Sequence, residues 1–439
     1  MSPELLGLIM LAIMIAVIFV GFPIAFTLLF LALAFGWLGL GNTVFDLAFF
    51  QTIGLMKEET LAAVPLFIFM GYVTEQAGLM ERLFRAFRLA LAPLRGALYI
   101  GVILTATVFA MATGIVGAAV TVLGIMAGPI MVKSGYDARL SAGAIAAGGT
   151  LGILIPPSVM LIVMGPVMGV SVAKLYAAAF GPGFLMASIY IAYCLIRSYL
   201  DPRVGPAVPV GERASSRGEV VRELLVGVLP LALLIAATLG SILGGLATPT
   251  EAASVGATGA VVLALLYRKL TYAGFRQATL ATLTTSSMVL FLAVASNVFG
   301  AVFARLGTAT VITKALVALP VPPFAMLVLV MALIFLLGWP FEWPAIILVF
   351  LPIFWPVIEA LKFDPIWFGA LVAVNLQTAF LSPPVAMSAY YLKSVMPDWD
   401  LRTIYRGMAE FMVLQLVTLA LVMVFPPIAL WFPSWLFGS

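Results

Sequence analysis

Two stretches of this chain place polar atoms inside otherwise apolar sequence. The first is Gly148–Ser158, GGTLGILIPPS, and the second is Asn375–Pro384, NLQTAFLSPP. Pro156 and Pro157 remove two backbone donors, and Pro383 and Pro384 remove two more, so the carbonyls those donors would serve stay open. Inside a bilayer, open carbonyls survive only where protein or a water-filled cavity surrounds them. Clustered neutral oxygens suit a hard cation. The spacing predicts one Na+ site from Thr150, Gly152 and Pro156 with an interruption at Thr113 and Gly114. It predicts a second from Gly338 and Phe341 with Thr378, Ser382 and Pro383. Ser158, Glu342, Asn375 and Gln377 are candidates for lining a substrate cavity. No Asp lies at either break, which favours Na+ over a proton-carrying carboxylate. One proline break alone reads as a kink made for packing. Two at matching places in two halves point to a transport site.

Other polar residues read differently. Glu342 is the only acid close to a hairpin tip, and a mid-membrane charge costs about 2.5–3.5 kcal/mol on insertion scales. It is either a gating or coupling group, or a carboxylate in an aqueous tip or surface salt bridge. Glu251 in Thr-Pro-Thr-Glu is expected to cap the following helix. Asp137 and Asp364 sit in matching polar turns and are read as structural. Arg82, Arg85 and Arg88 recur at spacing three among apolar residues. That is a basic amphipathic helix lying along the membrane, facing lipid head groups or solvent. Trp431 and Trp435 suit an interfacial belt.

The elements that position these residues follow from composition. Of 439 residues, 64% are hydrophobic and 9% charged. That balance, in continuous apolar runs, specifies an all-α polytopic membrane protein rather than a β-barrel. The start has no basic n-region or cleavage site, so the first apolar segment is expected to remain as a span. The chain has no histidine and one cysteine, Cys194. It therefore lacks the usual intramembrane metalloprotease ligands, a Ser-His dyad, and any intrachain disulfide. With no Walker-type loop it is not expected to hydrolyse ATP or to be an enzyme, and neither a transition-metal site nor a nucleic-acid partner is expected.

Two halves repeat one order: arm, broken hairpin, Asp-containing turn, helix, proline break, helix. The first occupies residues 1–200, with its hairpin at 96–131 and broken helix at 138–170. The second occupies 224–439, with its hairpin at 324–357 and broken helix at 366–395. In the second half, Arg268–Thr284 is read as the arm and Thr285–Phe303 as a separate apolar run. Between the halves, 201–223 is basic and hydrophilic, and is read as a cytoplasmic linker. Inverted-topology repeats with discontinuous helices are the expected architecture.

GGTLGILIPPS at Gly148–Ser158, LATPTEAA at Leu246–Ala253, the Gly135-Tyr136-Asp137 turn and NLQTAFLSPPVAM at Asn375–Met387 together carry a resemblance over nearly the whole chain. The chain resembles the large membrane subunit of tripartite ATP-independent periplasmic (TRAP) transporters. The resemblance implies an elevator in the bacterial inner membrane, with a fixed scaffold and a sliding transport domain driven by a Na+ gradient. It implies ion sites on Thr113, Gly114, Thr150 and Gly152, and on Gly338, Thr378 and Ser382. It implies a small four-helix membrane subunit on a separate chain, a periplasmic binding protein and an organic-acid substrate. The GWPFEW tip and NLQTAFLSPP look like a branch associated with keto- or hydroxy-monocarboxylates. Many relatives carry Ser beside the first-tip Gly, whereas Ile115 and Val116 follow Gly114 here, which leaves Thr113 and backbone carbonyls to ligate. The alternative is a stand-alone Na+/carboxylate symporter that works without a binding protein.

Overall fold

The computed structural model describes residues 2–209, 213–214, 216–383 and 386–438, with the side chains of Ala112, Thr113 and Val317 outside the description. Pro384, named above at the second break, also lies outside the described residues. Among those described there are helices and no strands. Seven helices are long and apolar enough to span a bilayer, or nine if two bent pairs each count as a span.

The chain opens with α1 (Pro3–Phe19) and α2 (Ile24–Leu40), which meet at a bend at Gly21–Pro23. Next come α3 (Thr43–Met56), α4 (Ala63–Gln76) and the amphipathic α5 (Leu79–Leu91). The first hairpin is α6 (Ala97–Thr113) and α7 (Val116–Lys133). A turn leads into α8 (Ala138–Leu154), which is bent by 43° from α9 (Val159–Met168). The 29-residue α10 (Val172–Leu200) closes this half.

The second half contains α11 (Arg217–Leu243), α12 (Pro249–Leu266) and α13 (Tyr272–Arg305). A short α14 (Thr308–Val317) precedes α15 (Pro323–Leu337). The returning limb is one span made of α16 (Trp343–Ala345), a π-helical turn at Ile346–Phe350, and α17 (Leu351–Ala360). Then come α18 (Pro365–Leu376), a 3-10 turn at Gln377–Phe380, and α19 (Met387–Val395). α20 (Leu401–Val424) and α21 (Pro427–Phe437) end the chain.

One expectation needs correction. The semi-polar arm at Arg268–Thr284 and the apolar run at Thr285–Phe303 are not separate elements. They form one continuous helix of 34 residues, α13. The short, basic-ended element in the arm position is α14. Residues such as Thr279, Thr282 and Thr284 lower the local hydropathy of α13 without breaking it. Each of these hydroxyls donates back to the carbonyl four residues earlier, at 2.7–3.0 Å, which satisfies the side chain within the helix.

The helices sort into two packed groups. α13 packs on α2, α3 and α4; α12 packs on α4; and α11 lies against α5 and α12. In the other group α8 is central, touching α6, α7, α19 and α20, while α10 contacts α18, α20 and α21. Every residue from Leu140 to Leu154 is buried. Small side chains make that possible, because tight helix packing in lipid depends on close backbone approach. A Cβ on Gly143 would lie 2.6 Å from the Gly407 carbonyl of α20, and one on Gly407 would collide with the Arg139 carbonyl.

The stretch between the halves is laid against the base of the first hairpin. The Gly96 and Asp137 amides donate to the Gly205 and Val204 carbonyls at 2.9 and 3.0 Å. Tyr99 Oη donates to the Val204 carbonyl at 2.7 Å. Helix α11 begins at Arg217, inside the stretch expected to be linker. The arm's arginines meet protein partners. The Arg82 guanidinium lies 4.3 Å from the centre of the Tyr267 ring, and Arg85 Nε is 3.8 Å from Glu223.

Candidate functional site

Each hairpin tip reaches a helix break. At the first, Gly114 ends α6 with φ +61°, a left-handed conformation open to glycine. Its missing Cβ would stand 3.7 Å from the Gly152 and Pro157 carbonyl oxygens and from the Val159 amide nitrogen. Seen from the other side, a Cβ on Gly152 would stand 3.8 Å from the Ile115 amide nitrogen. The tip and the break therefore approach to within the width of a methyl group. Pro156 has no N–H to offer the Gly152 carbonyl four residues back, so that oxygen is free of the helical ladder. Pro157 likewise deprives Ile153, but there the Ser158 hydroxyl substitutes and donates to the Ile153 carbonyl at 2.5 Å. Ser158 thus patches the break, and its own carbonyl accepts from Tyr176 Oη at 3.3 Å.

Thr150 is buried one turn earlier. Its hydroxyl donates to the Ala147 carbonyl at 2.8 Å and accepts from Gln415 Nε2 of α20 at 3.3 Å. Gln415 Oε1 and Tyr190 Oη are buried beside it. The Thr113 side chain lies outside the described residues.

The second meeting is built differently. A Cβ on Gly338 would stand 3.2 Å from Ala379 Cβ and 3.1 Å from the Phe335 carbonyl, so this tip abuts the 3-10 turn that follows α18. Thr378 and Ser382 are buried, and their hydroxyls donate to the Asn375 and Thr378 carbonyls at 2.7 and 2.8 Å. Asn375 Nδ2 donates to the Met331 carbonyl at 2.7 Å, holding the hairpin against the end of α18. Asn375 Oδ1 and Gln377 Oε1 are buried acceptors without a partner. An unpartnered buried acceptor costs about 1–3 kcal/mol, so such oxygens are available to a cation. Phe341 is buried against Phe350, with ring centres 5.1 Å apart. Pro383 is exposed. No cluster of three His, Cys, Asp or Glu that would hold a metal ion occurs among the described residues.

Between the two tips lies a cavity of about 470 Å³. On one wall are the first tip (Gly114–Ala118), Ile153 and Val159 from the break, and Glu342–Pro344 of the second tip. The facing wall is α4, with Ile68, Tyr72, Glu75 and Gln76, and α13, with Gln277, Ala281, Thr285 and Met288. Both facing sets recur at helical spacing, which is why one stripe of each helix is presented. Glu342 lines this cavity. Ser158, Asn375 and Gln377 do not; they are buried within the packed group.

Sequence reasoning did not find Tyr72, Glu75, Gln76, Gln277, Thr285 or Tyr391. A polar stripe every three to four residues on α4 and α13 was the available signal. The capping residues fall where expected. Asp137 accepts from the Leu140 amide at 2.7 Å and Asp364 from the Trp367 amide at 2.8 Å. Glu251 and Thr248 form a reciprocal capping box.

Residues 11–428 match the family described as the tripartite ATP-independent periplasmic transporter, DctM component. The sialic acid TRAP transporter large permease protein SiaM of Vibrio cholerae is 31% identical over 433 residues, covering 97% of both chains. The C4-dicarboxylate TRAP transporter large permease protein DctM of Pseudomonas aeruginosa is 31% identical over 86% of this chain and 87% of that one. Among solved structures, the Alcanivorax borkumensis YdaH transporter superposes with a TM-score of 0.67 at 18% identity, covering 99% of each chain. Neisseria gonorrhoeae MtrF superposes with a TM-score of 0.60 at 15% identity, covering 88% of this chain and 84% of that one. Those two likenesses concern the fold alone. The chain is an inner-membrane permease, not an enzyme, and belongs to the DctM-component family of tripartite ATP-independent periplasmic transporters.

Proposed function

We propose that this chain is the translocating subunit for a small organic acid delivered by a periplasmic binding protein, and that uptake is coupled to Na+. One observation carries the reading: both hairpin tips abut helix breaks, and both line a single cavity facing α4 and α13. Broken helices at a cavity supply main-chain oxygens to an ion and helix N-termini to an anion. The first Na+ site would draw on the freed Gly152 carbonyl with Gly114, Thr150 and Pro156 around it. The second would draw on Asn375, Gln377, Thr378 and Ser382 beside Gly338. Filling both would hold each tip against its break and keep the cavity closed around cargo.

In this reading α6–α10 and α15–α21 move as a body in the manner of an elevator against a scaffold of α1–α5 and α11–α14, and the two halves of the chain, inverted repeats of one another, each contribute to both. A small four-helix membrane subunit on a separate chain and surrounding lipids steady that scaffold. Two relatives are named for acids, sialic acid and C4-dicarboxylates, which supports an acid as cargo. The test is uptake into proteoliposomes holding this chain, its small subunit and its binding protein. Uptake is expected to follow an inward Na+ gradient and to stop without the binding protein. Equal uptake with the gradient collapsed would remove Na+ coupling. Uptake without the binding protein would mark a stand-alone symporter.

A further inference from the structure

The charges in the cavity set a limit on what it accepts. Two carboxylates line it, Glu75 of α4 and Glu342 of the second tip. Among the described residues neither has an ion-pair partner, and no Lys or Arg is among the lining residues. Lys269 faces an adjoining hollow that it shares with Glu75 and Glu81. Positive potential in the main cavity therefore comes from backbone. Helix α7 starts at Val116 with no side-chain cap, and Val116, Gly117 and Ala118 all line the space. Helix α9 also starts without a side-chain cap, because the Ser158 hydroxyl is turned to Ile153, and Val159 lines the space. Free N–H groups at a helix start bind an anionic group. Both starts belong to one end of the cavity, beside Gly114.

We infer that the substrate is a monocarboxylate bearing several hydrogen-bond donors, and that dicarboxylates are rejected. Its carboxylate meets the α7 and α9 starts, and its hydroxyl groups donate to Glu75 and Glu342. A second carboxylate would be left facing like charges without a compensating cation, an arrangement that discriminates by repulsion. Gln76, Gln277 and Tyr391 supply further neutral partners along the same walls. This inference rests on reading the cavity as the seat of the cargo.

The probes are gluconate, adipate and glucose, which share six carbons and differ in charge and donors. Thermal midpoints of the full chain in lipid nanodiscs would be recorded with Na+ present, since a ligand raises apparent stability in proportion to its occupancy. Gluconate is expected to act at roughly tenfold lower concentration than adipate, and glucose to act weakly. In the double variant Glu75→Gln, Glu342→Gln the gluconate-to-adipate ratio should narrow to about threefold or less. Each ratio is taken within one preparation, so a shift in baseline stability does not blur it. Adipate acting at equal or lower concentration than gluconate would overturn the inference. So would an unchanged ratio in the double variant. If Na+ alone raised the midpoint and neither acid did, the cavity assignment would fall while the Na+ sites proposed above stood.

Discussion

The two helix breaks answer one demand with different atoms. At the first, oxygen comes from main chain: Pro156 strips the Gly152 carbonyl of its donor, and Gly114 brings the tip against it in a left-handed turn. The nearby side-chain hydroxyls are already engaged, Thr150 with Ala147 and Gln415, and Ser158 with Ile153. At the second, Gly338 has an ordinary helical φ of −64°, and the chain continues through a 3-10 turn. There the unengaged oxygens belong to side chains, Asn375 Oδ1 and Gln377 Oε1. A proline pair therefore does not define such a site. What recurs is a tip held against a stretch of chain whose oxygens the fold has left unused. The first break should depend on backbone conformation, and the second on side-chain chemistry.

The largest contrast is expected at the two tip glycines. Ala at position 114 must adopt the left-handed region, at a cost of about 1–2 kcal/mol. Gly114→Ala should therefore reduce Na+-driven uptake on the order of tenfold. Gly338→Ala keeps an allowed backbone and needs its Cβ neighbours to yield by a few tenths of an ångström, so uptake should fall by no more than about threefold. Initial uptake rates in proteoliposomes would measure both. Equal losses would mean that the tips are conformationally equivalent and the comparison is wrong.

A second, smaller contrast concerns side chains. Gln377→Leu removes a buried, unused acceptor and should raise the Na+ concentration for half-maximal uptake about fivefold, equivalent to roughly 1 kcal/mol. Thr150→Val removes a hydroxyl whose bonds are already made and should shift it by about twofold or less. A reversed order would turn Thr150 into a direct ligand and make the first site depend on side chains as well.

What the sequence made legible was whatever acts through its own neighbours. Gly114, Pro156, Asp137, Asp364 and Thr248–Glu251 each fix backbone within a turn or two, so bends, hairpins and caps could be placed from composition and spacing. The cavity wall could not, because it is assembled from residues far apart in the chain. Glu75 and Glu342 line the same cavity, and Gln415 reaches Thr150 from 265 positions away. Helix α13 was misread for a related reason: its polar residues lower the mean hydropathy over the window that sequence reading depends on. Their helical spacing, which presents Gln277, Ala281 and Thr285 on one stripe, was the better guide. Asn375 and Gln377 show the limit from the other side. Their polarity drew attention to the right turn, but only packing reveals that their oxygens are unspent and that they lie outside the cavity they were expected to line.

Where the two halves are built alike, they should respond alike. Asp137 and Asp364 each end a turn in extended conformation, with ψ of 125° and 123°, and each accepts from the amide three residues on. Replacing such a cap by Ala costs roughly 1 kcal/mol of stability, and Asn restores most of it because its side-chain oxygen accepts the same bond. Asp137→Ala and Asp364→Ala should therefore lower the thermal midpoint by similar small amounts, with Asp→Asn recovering most of the loss and uptake nearly unchanged. One asymmetry works against equality: the Asp137 amide also donates to the Val204 carbonyl at 3.0 Å. That bond belongs to the backbone and survives the substitution, so it should not separate the pair. A loss at Asp137 several times that at Asp364, unrelieved by Asn, would mean that the turn holds the connecting stretch in place through its carboxylate. The likeness of the two Asp-capped turns would then stop at their geometry.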